Sequence, residues 1–256
     1  MAHGHRGERL KAVVESRESG GAESWGPVDF DPALWTCESP APGVRCGPPR
    51  RGYRWGVEVY ALAAFALGGG PTPRSAADLG AGSGIVGLLL AYAGLRVEAW
   101  ERAAAWHPAL ARSIAESGAP IRVHADDVRS VEGPRRFDVV VTNPPWFPAD
   151  QPRSPDPWRA ECRSMIHGDT RAFVDAGLRL APRVCLVTRP ARRPDLVGYQ
   201  VVRQSQLGDQ VLLVEVGEGA ASPAWPAPEA LDLVTAYARF GQVSAASGPA
   251  RTDGAS

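Results

Sequence analysis

From residue 57 onward the chain alternates between apolar stretches of helical length and apolar stretches of strand length. "VEVYALAAFAL" (57–67) has helical spacing and good helix formers, and "GGGPTP" ends it. "SAADLG" reads as a short strand running into glycines, "IVGLLLAYAG" (85–94) as a buried helix closed by glycine, and "RVEAW" (96–100) as a strand. A helix follows to about Ser117; Pro108 fits best in a first turn, so the helix is expected to begin near His107. "IRVHA" and "FDVVVTN" read as strands, "DTRAFVDAGLRLA" (169–181) as a helix with Asp169 as N-cap, and "RVCLVTR" as a strand. "YQVVRQSQLGDQVLLVEV" predicts a closing antiparallel hairpin that turns near Gly208 and Asp209. Strands alternating with helices predict a three-layer α/β domain, Rossmann-like, with a mostly parallel sheet. Ligands of such sheets bind beyond the carboxyl ends of the strands.

The ends carry no such alternation. Residues 1–26 are polar and Gly-rich, and from 241 the chain reads "GQVSAASGPARTDGAS"; both are expected as disordered tails around a single domain, 27–240. Its lead-in, 27–56, includes "ESPAPGVRCGPPRRG" (38–52), whose prolines predict an irregular loop.

A chain of 256 residues, 44% hydrophobic, can bury a sizeable core. No run of about 18 apolar residues predicts a membrane span, and the N-terminus lacks the apolar region of a secretory signal. Cys37, Cys46, Cys162 and Cys185 form no CxxC pair or metal-ligand spacing, so free thiols in a cytoplasmic protein without a metal are expected. "HGH" at His3–His5 could chelate a metal weakly, but reads as part of the tail. The chain is expected to act as a monomer. Formal charge is zero and Lys11 is the only lysine, so bulk electrostatics announce no nucleic-acid partner. Two basic clusters stand out: Arg45, Arg50, Arg51 and Arg54, and later Arg189, Arg192 and Arg193.

"DLGAGSG" (78–84) follows a strand and opens a helix. Glycines at 80, 82 and 84 permit a tight turn and close approach of a ligand. The overlapping "GSGIVG" (82–87) is a formal G-x-G-x-x-G, so a nicotinamide site and a plain βα turn both stay open. Glu101, just after the second strand, can accept from both ribose hydroxyls of a nucleoside; Glu98 is the weaker candidate and could face solvent. In "ADD" (125–127) an acid could bind the exocyclic amine of adenine. Asp127 is favoured because it precedes the apolar Val128, with an ordinary turn carboxylate as the alternative.

"FDVVVTNPPWFPAD" (137–150) ends a buried strand with an asparagine and two prolines. Pro144 and Pro145 cannot donate to a sheet ladder, and a residue before proline is pushed toward extended geometry, which fixes how Asn143 projects. A rigid carboxamide next to the proline carbonyls can grip a planar amino group, with Trp146 stacking on its ring.

"DLGAGSG" together with "NPPW" resembles the class I S-adenosylmethionine-dependent methyltransferases that modify amino groups of planar substrates; Trp146 stands where their Asn/Asp-Pro-Pro-Tyr motif has tyrosine. From "GYRWGVEVYALAAF" through "SPDPWRAECR" and "HGD", roughly residues 50–200, the chain is similar to the bacterial tRNA(Val) adenine-N6 methyltransferase family. The resemblance implies S-adenosylmethionine as cofactor, with Glu58, Asp78, Gly80, Gly82 and Gly84 beside it, Glu101 on the ribose and Asp127 on the adenine side. It implies Asn143, Pro144, Pro145 and Trp146 as the substrate-amine site and tRNA as partner. Arg153, Arg159 and Arg163, in the loop after the motif, read either as phosphate contacts for such an RNA or as plain surface arginines. A glutamine side-chain amide of a protein, a small-molecule amine, and a non-catalytic RNA-binding scaffold are the alternatives.

Overall fold

The computed structural model describes residues 35–47, 54–146 and 169–241, together with the backbone of strands β1 (Val13–Ser16) and β2 (Gly21–Ser24). His3, His5, Arg50, Arg51, Arg153, Arg159, Cys162, Arg163 and residues 242–256 lie outside the described residues. In chain order there follow β3 (Glu38–Ala41), β4 (Val44–Cys46), α1 (Val57–Ala66), β5 (Ser75–Leu79), α2 (Ile85–Tyr92), β6 (Arg96–Trp100), α3 (His107–Ser117) and β7 (Arg122–His124). Then come β8 (Val139–Thr142), α4 (Thr170–Leu180), β9 (Arg183–Thr188), β10 (Gln200–Leu207), β11 (Val211–Gly217) and α5 (Leu233–Arg239).

The main sheet has the order β10-β11-β9-β8-β5-β6-β7-β1-β2. β7, β6, β5, β8 and β9 run parallel, and β11 lies antiparallel between β9 and β10. From β5 the chain builds outward through β6 and β7, then returns to place β8 on the other flank of β5. The crevice above the carboxyl ends of β5 and β8 is therefore the topological switch point, where open α/β sheets take their ligands.

Three successive valines in β8 follow from a sheet covered on both faces. Val139 and Val141 pack with Leu62 of α1 and Leu88 of α2, while Val140 packs with Phe173, Val174 and Leu180 of α4; all three valines are fully buried. α3 begins at His107 with Pro108 in its first turn, and the Asp169 carboxylate accepts from the Ala172 N–H (3.0 Å) to cap α4.

The proline-rich lead-in differs from the expected loop. β3 and β4 form a short antiparallel pair, joined by Pro42 and Gly43 with Gly43 at φ +75°, the combination a type II turn requires. The pairing slips between Glu38 and Ala41, around Pro40, which has no N–H to give. α3 holds this pair: the Arg45 N–H donates to Ser117 Oγ (2.8 Å), and the Gly47 N–H to Ser113 Oγ (3.1 Å). β1 and β2, in the segment expected as a tail, extend the sheet beyond β7. α5, absent from the expected elements, lies on α1 through Tyr60 and Tyr237, whose rings are 4.8 Å apart.

Candidate functional site

After Leu79 the chain turns through Gly80, Ala81, Gly82, Ser83 and Gly84 into α2. The N–H groups of Gly80 and Ala81 both donate to the Trp100 carbonyl (2.9 and 3.0 Å), tying this loop to the end of β6. Gly82 (φ +57°) and Gly84 (φ +86°) are left-handed for different reasons. A Cβ at Gly84 would come within 2.6 Å of Leu110, whereas one at Gly82 would meet nothing nearer than Trp106 at 4.0 Å. Gly84 is closed by packing; Gly82 borders open space that a ligand can enter.

Glu101 follows β6 and is 8% exposed. Its Oε2 accepts from the Gly82 N–H and its Oε1 from the Ala103 N–H, both at 2.8 Å. Its backbone is fixed too: the Glu101 N–H donates to the His124 carbonyl (2.9 Å), and His107 Nε2 lies 2.7 Å from the Glu101 carbonyl. Burial lowers the His107 pKa, which favours a neutral ring with Nε2–H donating to that carbonyl. The carboxylate is thus oriented at the rim of the glycine loop. With about four lone-pair sites, it suits the vicinal diol of a nucleoside as a further donor.

Asp78 serves the scaffold beneath. It is 3% exposed, and its Oδ2 accepts from the Gly87 N–H (2.8 Å), fastening the first turn of α2 to β5. A Cβ at Gly87 would lie 3.1 Å from that oxygen, which accounts for the last glycine of the formal G-x-G-x-x-G. Burial pushes the Asp78 pKa up to about 7, with the Gly87 hydrogen bond opposing and the Glu101 charge adding to the rise.

The other sequence-predicted acids have visible partners. Glu58, half-buried in the first turn of α1, accepts from the Gly56 N–H (2.9 Å). Asp127 caps a short 3₁₀ turn, Val128–Ser130, and its carboxylate also takes both Nε (2.9 Å) and Nη2 (2.8 Å) of Arg129. The Arg129 hydrogen bond holds the Asp127 pKa below the usual carboxylate range. Glu98 does not face solvent: it is 7% exposed and bonded to His124 Nε2 (2.8 Å) and Arg136 Nη2 (3.1 Å).

β8 runs in parallel register with β5, pairing Asp78 with Val141 and Leu79 with Thr142. Gly80 and Asn143 therefore leave the sheet side by side. The Thr142 hydroxyl donates to the Leu79 carbonyl (2.8 Å), locking the two strand ends together. Asn143 is half-buried, Pro144 buried, and Pro145 and Trp146 half-buried. The indole N–H of Trp146 is buried and has no acceptor among the described residues. The Arg189 guanidinium lies over the Trp146 ring, 5.1 Å from its centroid. Arg189 follows β9, the neighbour of β8, and was legible only as part of a basic cluster; its position at a strand's carboxyl end was the usable signal.

The family model of the methyltransferase small domain matches residues 67–155, from the end of α1 to just past the Asn-Pro-Pro-Trp turn. No curated protein matches the chain. Among solved structures, the chain is similar to the tRNA (uracil-54, C5)-methyltransferase of Pyrococcus abyssi in complex with S-adenosyl-L-homocysteine (16% identity, TM-score 0.49, covering 76% of this chain and 46% of that one). It is also similar to a SAM-dependent methyltransferase of Agrobacterium tumefaciens (15% identity, TM-score 0.47, covering 81% and 77%). A third is the magnesium protoporphyrin IX methyltransferase of Synechocystis PCC 6803 with bound SAM (18% identity, TM-score 0.46, covering 63% and 78%). At these scores the likenesses do not bear on the substrate. No helix among the described residues is long and apolar enough to cross a membrane. The match over residues 67–155, which contain the glycine loop, Glu101 and Asn143, supports S-adenosylmethionine as the cofactor of this crevice.

Proposed function

We propose that the chain is an S-adenosylmethionine-dependent methyltransferase that acts on an exocyclic amino nitrogen of a planar base, adenine in tRNA. One observation carries this reading: the Asn143-Pro144-Pro145-Trp146 turn leaves β8 in register with the glycine loop, at the switch point of the sheet. Such a turn has little use in a fold that holds only a cofactor.

Gly80, Gly82, Gly84 and Glu101 would hold the cofactor, with Glu101 on its ribose, and Asp78 would support the loop from below. Glu58 would stand near it from α1. Asp127 would stand on the adenine side with its charge shared with Arg129. When bound, the cofactor supplies an electrophilic methyl group. The rest falls to the chain's own groups. The Asn143 side-chain oxygen and the Pro144 carbonyl would accept from the two N–H groups of the target amine, which favours a pyramidal nitrogen with its lone pair directed outward. Holding that amine in place supplies much of the acceleration through proximity. The same dipoles favour the positive charge that grows on nitrogen. No strong base is required, because the proton leaves to water afterwards. Trp146, with Arg189 over its ring, offers a flat cationic wall to an electron-rich base.

The test is transfer of a tritiated methyl group from S-adenosylmethionine to fractionated tRNA, rRNA and protein, followed by nucleoside analysis. Label in N6-methyladenosine of the tRNA fraction is expected. Label confined to protein glutamine, or absent throughout, overturns the reading. Asn143→Ala should keep cofactor affinity and lose turnover by orders of magnitude.

A further inference from the structure

At the same end of the sheet as the Asn143 site, but three strands across it, lies a groove that the methyl-transfer chemistry does not use: Gln204 of β10 stands level with Thr142 through Val214 and Leu186. A 3₁₀ segment, Pro190–Leu196, leaves the carboxyl end of β9 and carries Arg192 and Arg193. Together with Arg193 and Val197, the side chains of Gln204, Trp225, Pro226 and Pro228 line an open groove of about 660 Å³. This volume lies within the usual range for a small-ligand site.

The groove is prebuilt. Gln204 Nε2 donates to the Pro226 carbonyl, the Glu229 N–H donates to the Gln204 carbonyl (2.7 Å), and Ser205 Oγ donates to the Glu229 carbonyl (2.7 Å). These bonds hold the Trp225–Glu229 segment along β10. The Arg193 guanidinium lies over Trp225, 4.9 Å from the ring centroid, and its Nη2 donates to Gln204 Oε1 (2.9 Å). The Arg193 Nε is buried and has no acceptor among the described residues.

We infer that this groove seats a flanking nucleotide of a single-stranded RNA whose target base occupies the Asn143 site. The inference rests on the methyltransferase reading above and adds a substrate subsite to it. Three observations favour RNA over a peptide. First, two Arg–Trp stacks, Arg189 on Trp146 and Arg193 on Trp225, occur within one short segment, and aromatic platforms beside arginines suit single-stranded nucleic acid. Second, three arginines among five positions are a local excess in a chain of zero formal charge. Their one acidic neighbour within the segment, Asp195, pairs with Arg192 (2.7 Å). Third, a 3₁₀ rise of about 2 Å per residue puts Arg189 and Arg193 roughly 8 Å apart along the segment. They then form a short basic track leading away from the Asn143 site.

The experiment measures binding of a fluorescein-labelled single-stranded oligoribonucleotide of mixed sequence by anisotropy across a salt series, for wild type, Trp225→Ala and Arg193→Glu. Trp225→Ala should weaken binding about five-fold or more, the loss expected for one base–aromatic stack. Arg193→Glu should weaken it and lower the slope of log affinity against log salt by about 0.7, one phosphate contact. Calorimetry should show unchanged S-adenosylmethionine binding in both variants. Wild-type RNA affinity and salt slope in both variants, or no RNA binding by the wild type, overturns the inference. So does binding of a proline-rich peptide at this groove in place of RNA. If both variants also methylate tRNA with an unchanged KM, the groove has no role and the proposed function stands. Methylation of protein alone by the wild type removes both.

Discussion

Thr142 donates its side-chain hydroxyl to the carbonyl of Leu79, 2.8 Å away, across the switch point of the sheet. Both residues are fully buried, and each is the last of its strand. The bond therefore fixes how the glycine loop and the Asn-Pro-Pro-Trp turn diverge. Thr142→Val keeps the shape and removes the donor. It should cost about 1 kcal/mol of stability, read from urea unfolding. It should also reduce methyl transfer by about ten- to a hundred-fold through misplacement of Asn143, with cofactor affinity unchanged by calorimetry. Full turnover in this variant would detach the strand-end bond from the chemistry.

Two glycines of one loop should fail in different ways. Gly84→Ala sets a Cβ 2.6 Å from Leu110 Cδ1 at φ +86°, so both packing and backbone are strained. Gly82→Ala at φ +57° carries the backbone strain alone, about 1–2 kcal/mol, and puts its methyl group toward open space. Gly84→Ala should thus show the larger fall in unfolding midpoint. Gly82→Ala should show the larger loss of cofactor affinity relative to its stability. Calorimetric titration beside a melting curve separates them, and equal ratios in the two variants would contradict the division of roles.

The two periodicities account for how much was readable beforehand. Strands covered on both faces need continuous apolar runs, so Val139–Val141 and the Val184–Val187 stretch announced themselves, as did Asp169 before α4. The acid after β6 was legible because a strand end projects its next residue over the crevice; Glu101 holds the glycine loop by its Gly82 bond. What escaped was set by distant partners. β3 and β4 looked irregular because their prolines hid a Pro42–Gly43 turn, and the pair is held by Ser113 and Ser117 of α3. α5 follows a stretch rich in Gly, Ala and Pro, and its signal was the Asp232 cap, which accepts from the Val234 N–H (2.9 Å). The engagement of Asp127 by Arg129 and the pairing of Arg193 with Trp225 depend on side-chain directions that spacing does not encode.

Asp78 should give stability an unusual pH dependence. Burial is the main cause of its rise from 3.8 to about 7, so the folded protein keeps the proton that the unfolded chain releases near pH 4. Its contribution is full below about pH 4, declines as pH rises toward 7, and is absent above that. Asp78→Asn preserves an oxygen for the Gly87 N–H and removes the charge. The difference in unfolding free energy, wild type minus variant, should therefore fall across pH 4–7 and level off beyond it. Urea titrations at several pH values measure this directly. A flat difference would mean that Asp78 is ionised in the fold throughout that range.

Glu215 sits 2% exposed between two arginines: its Oε1 meets Arg183 Nε at 2.9 Å and its Oε2 meets Arg203 Nε at 2.8 Å. The same arginines reach the end of α1, where Arg183 Nη2 donates to the Gly68 carbonyl (2.6 Å) and Arg203 Nη2 to the Phe65 and Gly68 carbonyls. One carboxylate thus holds the pair of cations that bond the carbonyl of Phe65, in the last turn of α1, and that of Gly68, just beyond it. Burial pushes the Glu215 pKa up, but the hydrogen bonds and charges of Arg183 and Arg203 outweigh it, and the net shift is downward. Its stabilisation is therefore present above the ordinary carboxylate pKa and lost as pH falls through the lowered value. Glu215→Gln leaves two buried guanidinium groups facing a neutral amide and should cost about 3–5 kcal/mol at pH 7. The gap from wild type should close in acid, where the native carboxyl is itself protonated. A variant with the wild-type urea midpoint at pH 7 would show that the α1 carbonyls alone suffice to hold both arginines.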